Sequence, residues 1–222
     1  MVWCGYQGAP HAWRRGSFQS QIKNQESRIP GVQRIGLFGG SFDPVHLGHL
    51  LVAQAAREEL DLTRLFFIPA AQSPFKPDRQ PTAASERLRL LRLALAGQPW
   101  CELDDQELHR GGVSYTIDTV RDYARRFPDA QLFYLIGADH VAMLPQWREA
   151  DELARRLEFV VIPRPGQSEV PFPKPFRGRM LTGFPLGVSS SQIRARVKGG
   201  KPVDHLVPAA VAEAIRNYRL YL

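Results

Sequence analysis

Residues Arg34 to Leu51 read R-I-G-L-F-G-G-S-F-D-P-V-H-L-G-H-L-L, and this stretch constrains the fold more than any other. Ile35, Leu37 and Phe38 form the apolar run of a short buried strand, and Gly36 leaves room for a close neighbour. Gly39-Gly40 permits backbone conformations that a side chain forbids. Asp43-Pro44 marks a turn, and from His46 onward Leu47, Leu50, Leu51, Gln54 and Ala55 recur at helical spacing. The unit is therefore strand, glycine turn, helix. His46 and His49 lie three residues apart and share one face of the first helical turn. Amides at a helix start favour an anion, and two imidazoles facing one point add hydrogen-bond donors or positive charge. That arrangement suits a phosphate.

The same grammar repeats along the chain. Leu65 to Pro69 reads as a second strand closed by proline, followed by a loop over 70–81. Thr82 or Ser85 caps a helix that runs to Gly97. A third strand spans Trp100 to Asp104, and a loop continues through Gly111-Gly112. Ser114 caps a helix ending near Phe127, and Gln131 to Ile136 is a strand leading into Gly137-Ala138-Asp139. A short helix, Trp147, a helix over 149–157 and a strand over 159–162 come next. Five prolines make 163–178 an extended loop, and helices over Ser189 to Lys198 and Pro208 to Tyr218 close the chain. Alternating strands and helices predict an α/β fold: a Rossmann-like doubly wound parallel sheet with helices on both faces and C-terminal helices. Ligands of such sheets sit at the carboxyl ends of the strands.

Residues 1–33 lack sustained periodicity and are rich in Gly, Gln, Ser and Arg. They read as a disordered basic N-terminal extension, with 34–222 as the domain. A transit peptide and an upstream start codon are the other two readings of this segment. Arg14, Arg15, Lys23 and Arg28 against Glu26 account for +3 of the chain's net +7. The remaining charge suits a protein that handles polyphosphates and does not require nucleic acid. No apolar run approaches the roughly 18 residues of a membrane helix. Cys4 and Cys101 form no C-x-x-C pair, which speaks against a disulfide framework or zinc ribbon and suits a reducing cytoplasm.

Val188-Ser189-Ser190-Ser191-Gln192-Ile193-Arg194 offers a second anion site: serine caps, free amides, and an arginine one turn inward. The glycine-turn segment, Gly39-Gly40-Ser41-Phe42-Asp43-Pro44-Val45-His46-Leu47-Gly48-His49, resembles the G-[ST]-F-D-P-x-H-x-G-H signature of the nucleotidyltransferase superfamily. The serine segment resembles that superfamily's I-S-S-T-x-I-R. Two further stretches narrow the resemblance. Ser114-Tyr115-Thr116-Ile117-Asp118-Thr119 is similar to the S-Y-T-I-D-T motif of the bacterial nicotinate-nucleotide adenylyltransferases. Gly137-Ala138-Asp139 with Leu144-Pro145-Gln146-Trp147 is similar to that family's G-x-D…L-x-x-W.

The resemblance implies adenylyl transfer from ATP to nicotinate mononucleotide, giving deamido-NAD and pyrophosphate, with Mg²⁺ accompanying ATP and no dedicated metal site. It implies that Gly39, Gly40, Ser41, Phe42, His46, Gly48, His49, Gly137, Asp139, Ser189, Ser190 and Arg194 face ATP. His46, His49 and Arg194 would stabilise the triphosphate. Lys76, Ser114, Tyr115, Thr116 and Trp147 would face the acceptor. Trp147 or Tyr115 can stack on a flat ring, and Asp139 caps a helix or binds a ribose hydroxyl. Phe75 stands where the family commonly has His, in Ser73-Pro74-Phe75-Lys76 against P-P-H-[KR]. Nicotinamide mononucleotide and phosphopantetheine are the alternative acceptors; a silent nucleotide sensor and an RNA-associated protein are the rivals from other classes. Oligomeric state, including a homo-oligomer, is left open.

Overall fold

In the computed structural model, the described residues are 31–74, 80–166 and 170–222. The N-terminal extension therefore lies outside them, as do Phe75 and Lys76. Strands β1 (Arg34–Gly40), β2 (Arg64–Pro69), β3 (Cys101–Leu103), β4 (Gln131–Gly137), β5 (Leu157–Ile162) and β6 (Gly178–Met180) form one sheet in the order β3-β2-β1-β4-β5-β6. Every pairing is parallel. The helices are α1 (Leu47–Leu60), α2 (Ala84–Leu95), α3 (Gln106–Arg110), α4 (Thr116–Arg126), α5 (Ala150–Arg156), α6 (Ser190–Lys198) and α7 (Ala209–Asn217), with a 3₁₀ helix over Ala138–Gln146. The expected doubly wound sheet is present, and its order reverses direction between β1 and β4, where such folds open a crevice.

Both faces of the sheet are covered, so the strands read as apolar runs whose alternate residues serve opposite layers. Phe38, Leu65 and Phe67 join Ala53, Leu60, Leu90, Leu91 and Ile215 on one side. Ile35, Leu37, Phe66 and Ile68 join Ile117, Val120, Tyr123 and Phe159 on the other. Gly36 has the close neighbours its size implies: a Cβ there would stand 2.3 Å from the Leu65 side chain and 2.6 Å from that of Leu62.

Two short elements escape the periodicity argument. Helix α3 occupies part of the expected loop before Gly111. Its five residues carry no apolar stripe, and its start is held by the Asp104 carboxylate accepting from the Gln106 amide at 3.0 Å. Strand β6 ends the proline-rich segment by pairing with β5. A Cβ on Gly178 would stand 2.6 Å from the Phe159 carbonyl and 2.2 Å from the Phe172 ring, so β6 depends on close approach rather than on a branched side chain. The helix starts also shift. Ala83 is the N-cap of α2, in place of Thr82 or Ser85, and Tyr115 is the N-cap of α4, in place of Ser114.

Candidate functional site

The carboxyl ends of β1, β4 and β5 open into two adjoining cavities. One, of about 360 Å³, is walled by His46, His49, Asp139, Ser189 and Arg194 among others. The second, of about 210 Å³, is walled by Gly39, Glu107, Ser114, Thr116, Tyr134 and Trp147 among others. Phe38, Ser41, Gly137, His140 and Ile162 line both. Residues drawn from six places in the sequence thus meet around one junction.

The glycines of the signature work through space, not conformation. Neither Gly39 nor Gly40 has positive φ; Phe42 takes the left-handed step of the turn, at φ 46°. A Cβ on Gly39 would lie 2.4 Å from the Tyr134 hydroxyl, and one on Gly48 would lie 3.0 Å from both the His46 ring and Val188. Gly39 and Gly40 line the tryptophan cavity rather than the histidine cavity, whereas Ser41, Phe42, His46, Gly48, His49, Gly137, Asp139, Ser189, Ser190 and Arg194 line the latter.

His46 is the N-cap of α1, and its backbone N–H donates to His49 Nδ1 at 3.2 Å. This places the His49 proton on Nε2. The two rings stack with centroids 3.7 Å apart and planes 22° from parallel. Burial pushes His46 down to about 4. Burial, and then the neighbouring His46, hold His49 well below the ordinary imidazole range. Of the two roles open to these residues, donor or cation, burial favours the neutral donor at pH 7. The start of α1 is less open to an anion than a bare helix start. The Leu47 amide donates to the Leu206 carbonyl at 3.0 Å, and that of His49 to His46 at 2.9 Å.

Helix α6 faces this pair. Ser189 caps it, its hydroxyl accepting from the Gln192 amide at 3.3 Å while Gln192 Oε1 accepts from the Ser189 amide at 2.8 Å. The Ser190 hydroxyl donates to the Pro44 carbonyl at 2.8 Å, tying α6 to the signature turn. The Ser190 and Ser191 amides, in the first turn of the helix, have no intrahelical acceptor. Arg194 donates to the Asp43 carbonyl and, at 3.2 Å, to the Ser191 hydroxyl, with the Asp43 carboxylate 3.9 Å away. Asp43 is buried. It was legible within the signature, yet its part in orienting Arg194 was not. Asp139 does not cap the 3₁₀ helix; it pairs with Arg164 at 3.3 Å on the cavity rim.

In the tryptophan cavity, Trp147 is half-buried and meets Tyr134, His140 and Phe159 nearly at right angles, with centroids 5.9–6.3 Å apart. Tyr115 does not line the cavity. The Arg148 guanidinium lies 4.8 Å over its ring, so Trp147 is the available platform. Thr116 lines the cavity and donates to the Tyr134 hydroxyl at 3.4 Å. Ser114 is buried there, its hydroxyl accepting from the Ala71 amide at 3.0 Å.

Sequence reasoning missed Asp43, Arg87, Glu107, Tyr134, His140 and Arg164. Arg87 had a signal: it occupies the apolar stripe of α2, in phase with Leu90, Leu91 and Ala94. It is 1% exposed and donates to the carbonyls of Thr82 (3.0 Å), Ser41 (2.8 Å) and Ala70 (2.9 Å).

A parallel sheet in this order, with two confluent cavities across its switch point, defines a nucleotide-handling α/β protein. The chain belongs to the cytidylyltransferase-like family of nucleotidyltransferases, whose model matches residues 37–196. It is 40% identical over 191 residues to an Opitutus terrae protein named "Probable nicotinate-nucleotide adenylyltransferase", covering 85% of this chain and 97% of that one. A Shouchella clausii protein of the same name is 42% identical over 190 residues, covering 86% and 97%. Plasmodium falciparum nicotinic acid mononucleotide adenylyltransferase, solved in complex with APC, superposes with a TM-score of 0.69 at 18% identity, over 85% of this chain and 97% of that one. That likeness shows the fold.

Proposed function

We propose that this chain transfers the adenylyl group of ATP to nicotinate mononucleotide, yielding deamido-NAD and pyrophosphate in NAD biosynthesis. The reading is carried by the confluence of two unlike cavities. The histidine cavity offers donors for a triphosphate, and the tryptophan cavity offers an aromatic platform beside the start of α4. The names of its relatives agree.

An oxygen of the acceptor's 5′-phosphate attacks the α-phosphorus of ATP in line. The bond to the bridging oxygen breaks, and pyrophosphate leaves. The attacking phosphate is already ionised, so no general base is required. Catalysis is then positioning plus stabilisation of moving charge. The roles of His46 and His49 are to donate hydrogen bonds to phosphate oxygens as negative charge moves onto pyrophosphate, and Arg194 adds fixed charge. Trp147 stacks on the pyridine ring. The Thr116 amide at the start of α4 receives its carboxylate.

Mg²⁺ would accompany ATP, and Asp139, on the cavity rim, is the carboxylate of the hard-oxygen type that would hold it. When bound it neutralises phosphate charge. Such chemistry, with no helix among the described residues long and apolar enough to cross a membrane, suits a cytoplasmic protein.

The test is pyrophosphate release from ATP and Mg²⁺ with nicotinate mononucleotide, nicotinamide mononucleotide or phosphopantetheine as acceptor. The proposal requires the highest kcat/KM with nicotinate mononucleotide. A clear preference for either other acceptor, or no turnover with any, refutes it.

A further inference from the structure

Two buried ionisable side chains flank the tryptophan cavity: Arg87 on α2 and Glu107 on α3. They do not touch each other. Between them lies a single peptide group, that joining Ala70 to Ala71 in the loop after β2. Its carbonyl accepts from Arg87 Nη1 at 2.9 Å, and its N–H donates to Ser114 Oγ at 3.0 Å. Burial raises the Glu107 carboxyl, and hydrogen bonds from the Thr119 and Ser114 hydroxyls beside it oppose that rise. Glu107 also accepts from Thr119 Oγ1 at 2.6 Å, and Thr119 accepts from Arg110 at 3.2 Å. The Ser114 amide completes the bracing by donating to the Gln72 carbonyl at 2.9 Å.

Direction matters in this chain of bonds. A serine hydroxyl has one proton. With that proton committed to Glu107, Ser114 presents its lone pairs to the Ala71 amide and has no proton left for a ligand. Ser41, Ala70, Glu107 and Ser114 all line the tryptophan cavity. The polar chain therefore sets the separation of the loop after β1, the loop after β2 and the approach to α4. Leaving either buried polar group without partners is costly, so the two ends resist slackening.

We infer that Arg87 and Glu107 are positioning residues for the acceptor, gripping the Ala70–Ala71 peptide from opposite sides, Glu107 through Ser114. This rests on the reading of the tryptophan cavity as the acceptor's. It removes Ser114 from the residues that bind the ring carboxylate and makes it a link in the wall.

The experiment compares Glu107→Gln, Ser114→Ala, their double variant and Arg87→Lys in the full chain. Hydrogen exchange at the Ala71 amide, read without substrate, should quicken on the order of tenfold in each variant while Leu65 to Ile68 exchange as in the wild type. KM for the acceptor should rise on the order of tenfold in Glu107→Gln and Ser114→Ala, with KM for ATP held within about twofold. The double variant should be no worse than Ser114→Ala alone, because Glu107 acts through that hydroxyl. Unchanged Ala71 exchange in Glu107→Gln or Arg87→Lys, equal losses for both substrates, or additive single effects would overturn the inference. The exchange measurement needs no acceptor. A wild type that fails to use nicotinate mononucleotide thus refutes the functional reading, while Ala71 exchange still decides the grip.

Discussion

Buried neutral histidines make the stability of this fold depend on pH, with a sign and size that follow from His46. The residue is 6% exposed, and burial lowers its imidazole from 6.5 to about 4. Above about pH 6.5, neither the folded nor the unfolded chain holds the extra proton, and stability is at its plateau. As pH falls through 6.5, the unfolded chain takes up a proton that the folded chain refuses until about pH 4. The unfolded state is thereby favoured, so stability falls with falling pH. Linkage between those two values gives a loss of about 2 kcal/mol by about pH 5 and about 3 kcal/mol by about pH 4. His49, lowered in the same direction, adds to the loss. The perturbation that isolates the effect is His46→Asn, which removes the titration and keeps a polar N-cap. Urea unfolding followed by circular dichroism at a series of pH values, for wild type and variant, gives the comparison. Carboxylates titrate in both proteins and cancel. Between pH 7.5 and 5 the wild type should lose about 2 kcal/mol more than the variant, a difference of roughly 1 M in urea midpoint for a slope near 2 kcal/mol/M. Parallel pH profiles would refute the claim that His46 is buried as the neutral form.

Three further outcomes follow from the same geometry. His49→Ala should fold and lose on the order of 10²–10³ in kcat, by loss of one transition-state donor; full turnover in a folded variant would remove it from catalysis. Gly39→Ala forces a Cβ to within 2.4 Å of the Tyr134 hydroxyl, so acceptor KM should rise. Adding Tyr134→Phe should recover part of the loss, and a failure of that rescue would point to conformation instead of space. A chain beginning at Arg34 should keep the kcat/KM of the full chain in a steady-state assay; a large drop would give the basic extension a part in the reaction.

The sequence alone was enough to predict the parallel sheet, because strands buried on both faces must read as apolar runs and their crossover helices must carry apolar stripes. It also marked two helix starts that wall the histidine cavity, His46 to His49 and Ser189 to Arg194, since helix starts with local caps are built from neighbours in the chain. Local sequence was a poorer guide where an element depends on distant partners. Helix α3 is tied to α4 through Glu107, which accepts from Thr119, and β6 exists because Gly178 lets it close on Phe159. The protonation state of the histidines, the reason for Gly39, and the choice of Trp147 over Tyr115 were likewise invisible. Each is set by residues far along the chain: the burial around His46, the hydroxyl of Tyr134, and the guanidinium of Arg148 over Tyr115. Composition and periodicity thus determined which of the longer elements form and which ends of them gather on one side of the sheet. Only the tertiary structure decided what occupies the space between those ends, because electrostatic desolvation and close packing depend on neighbours in three dimensions and not on spacing along the chain.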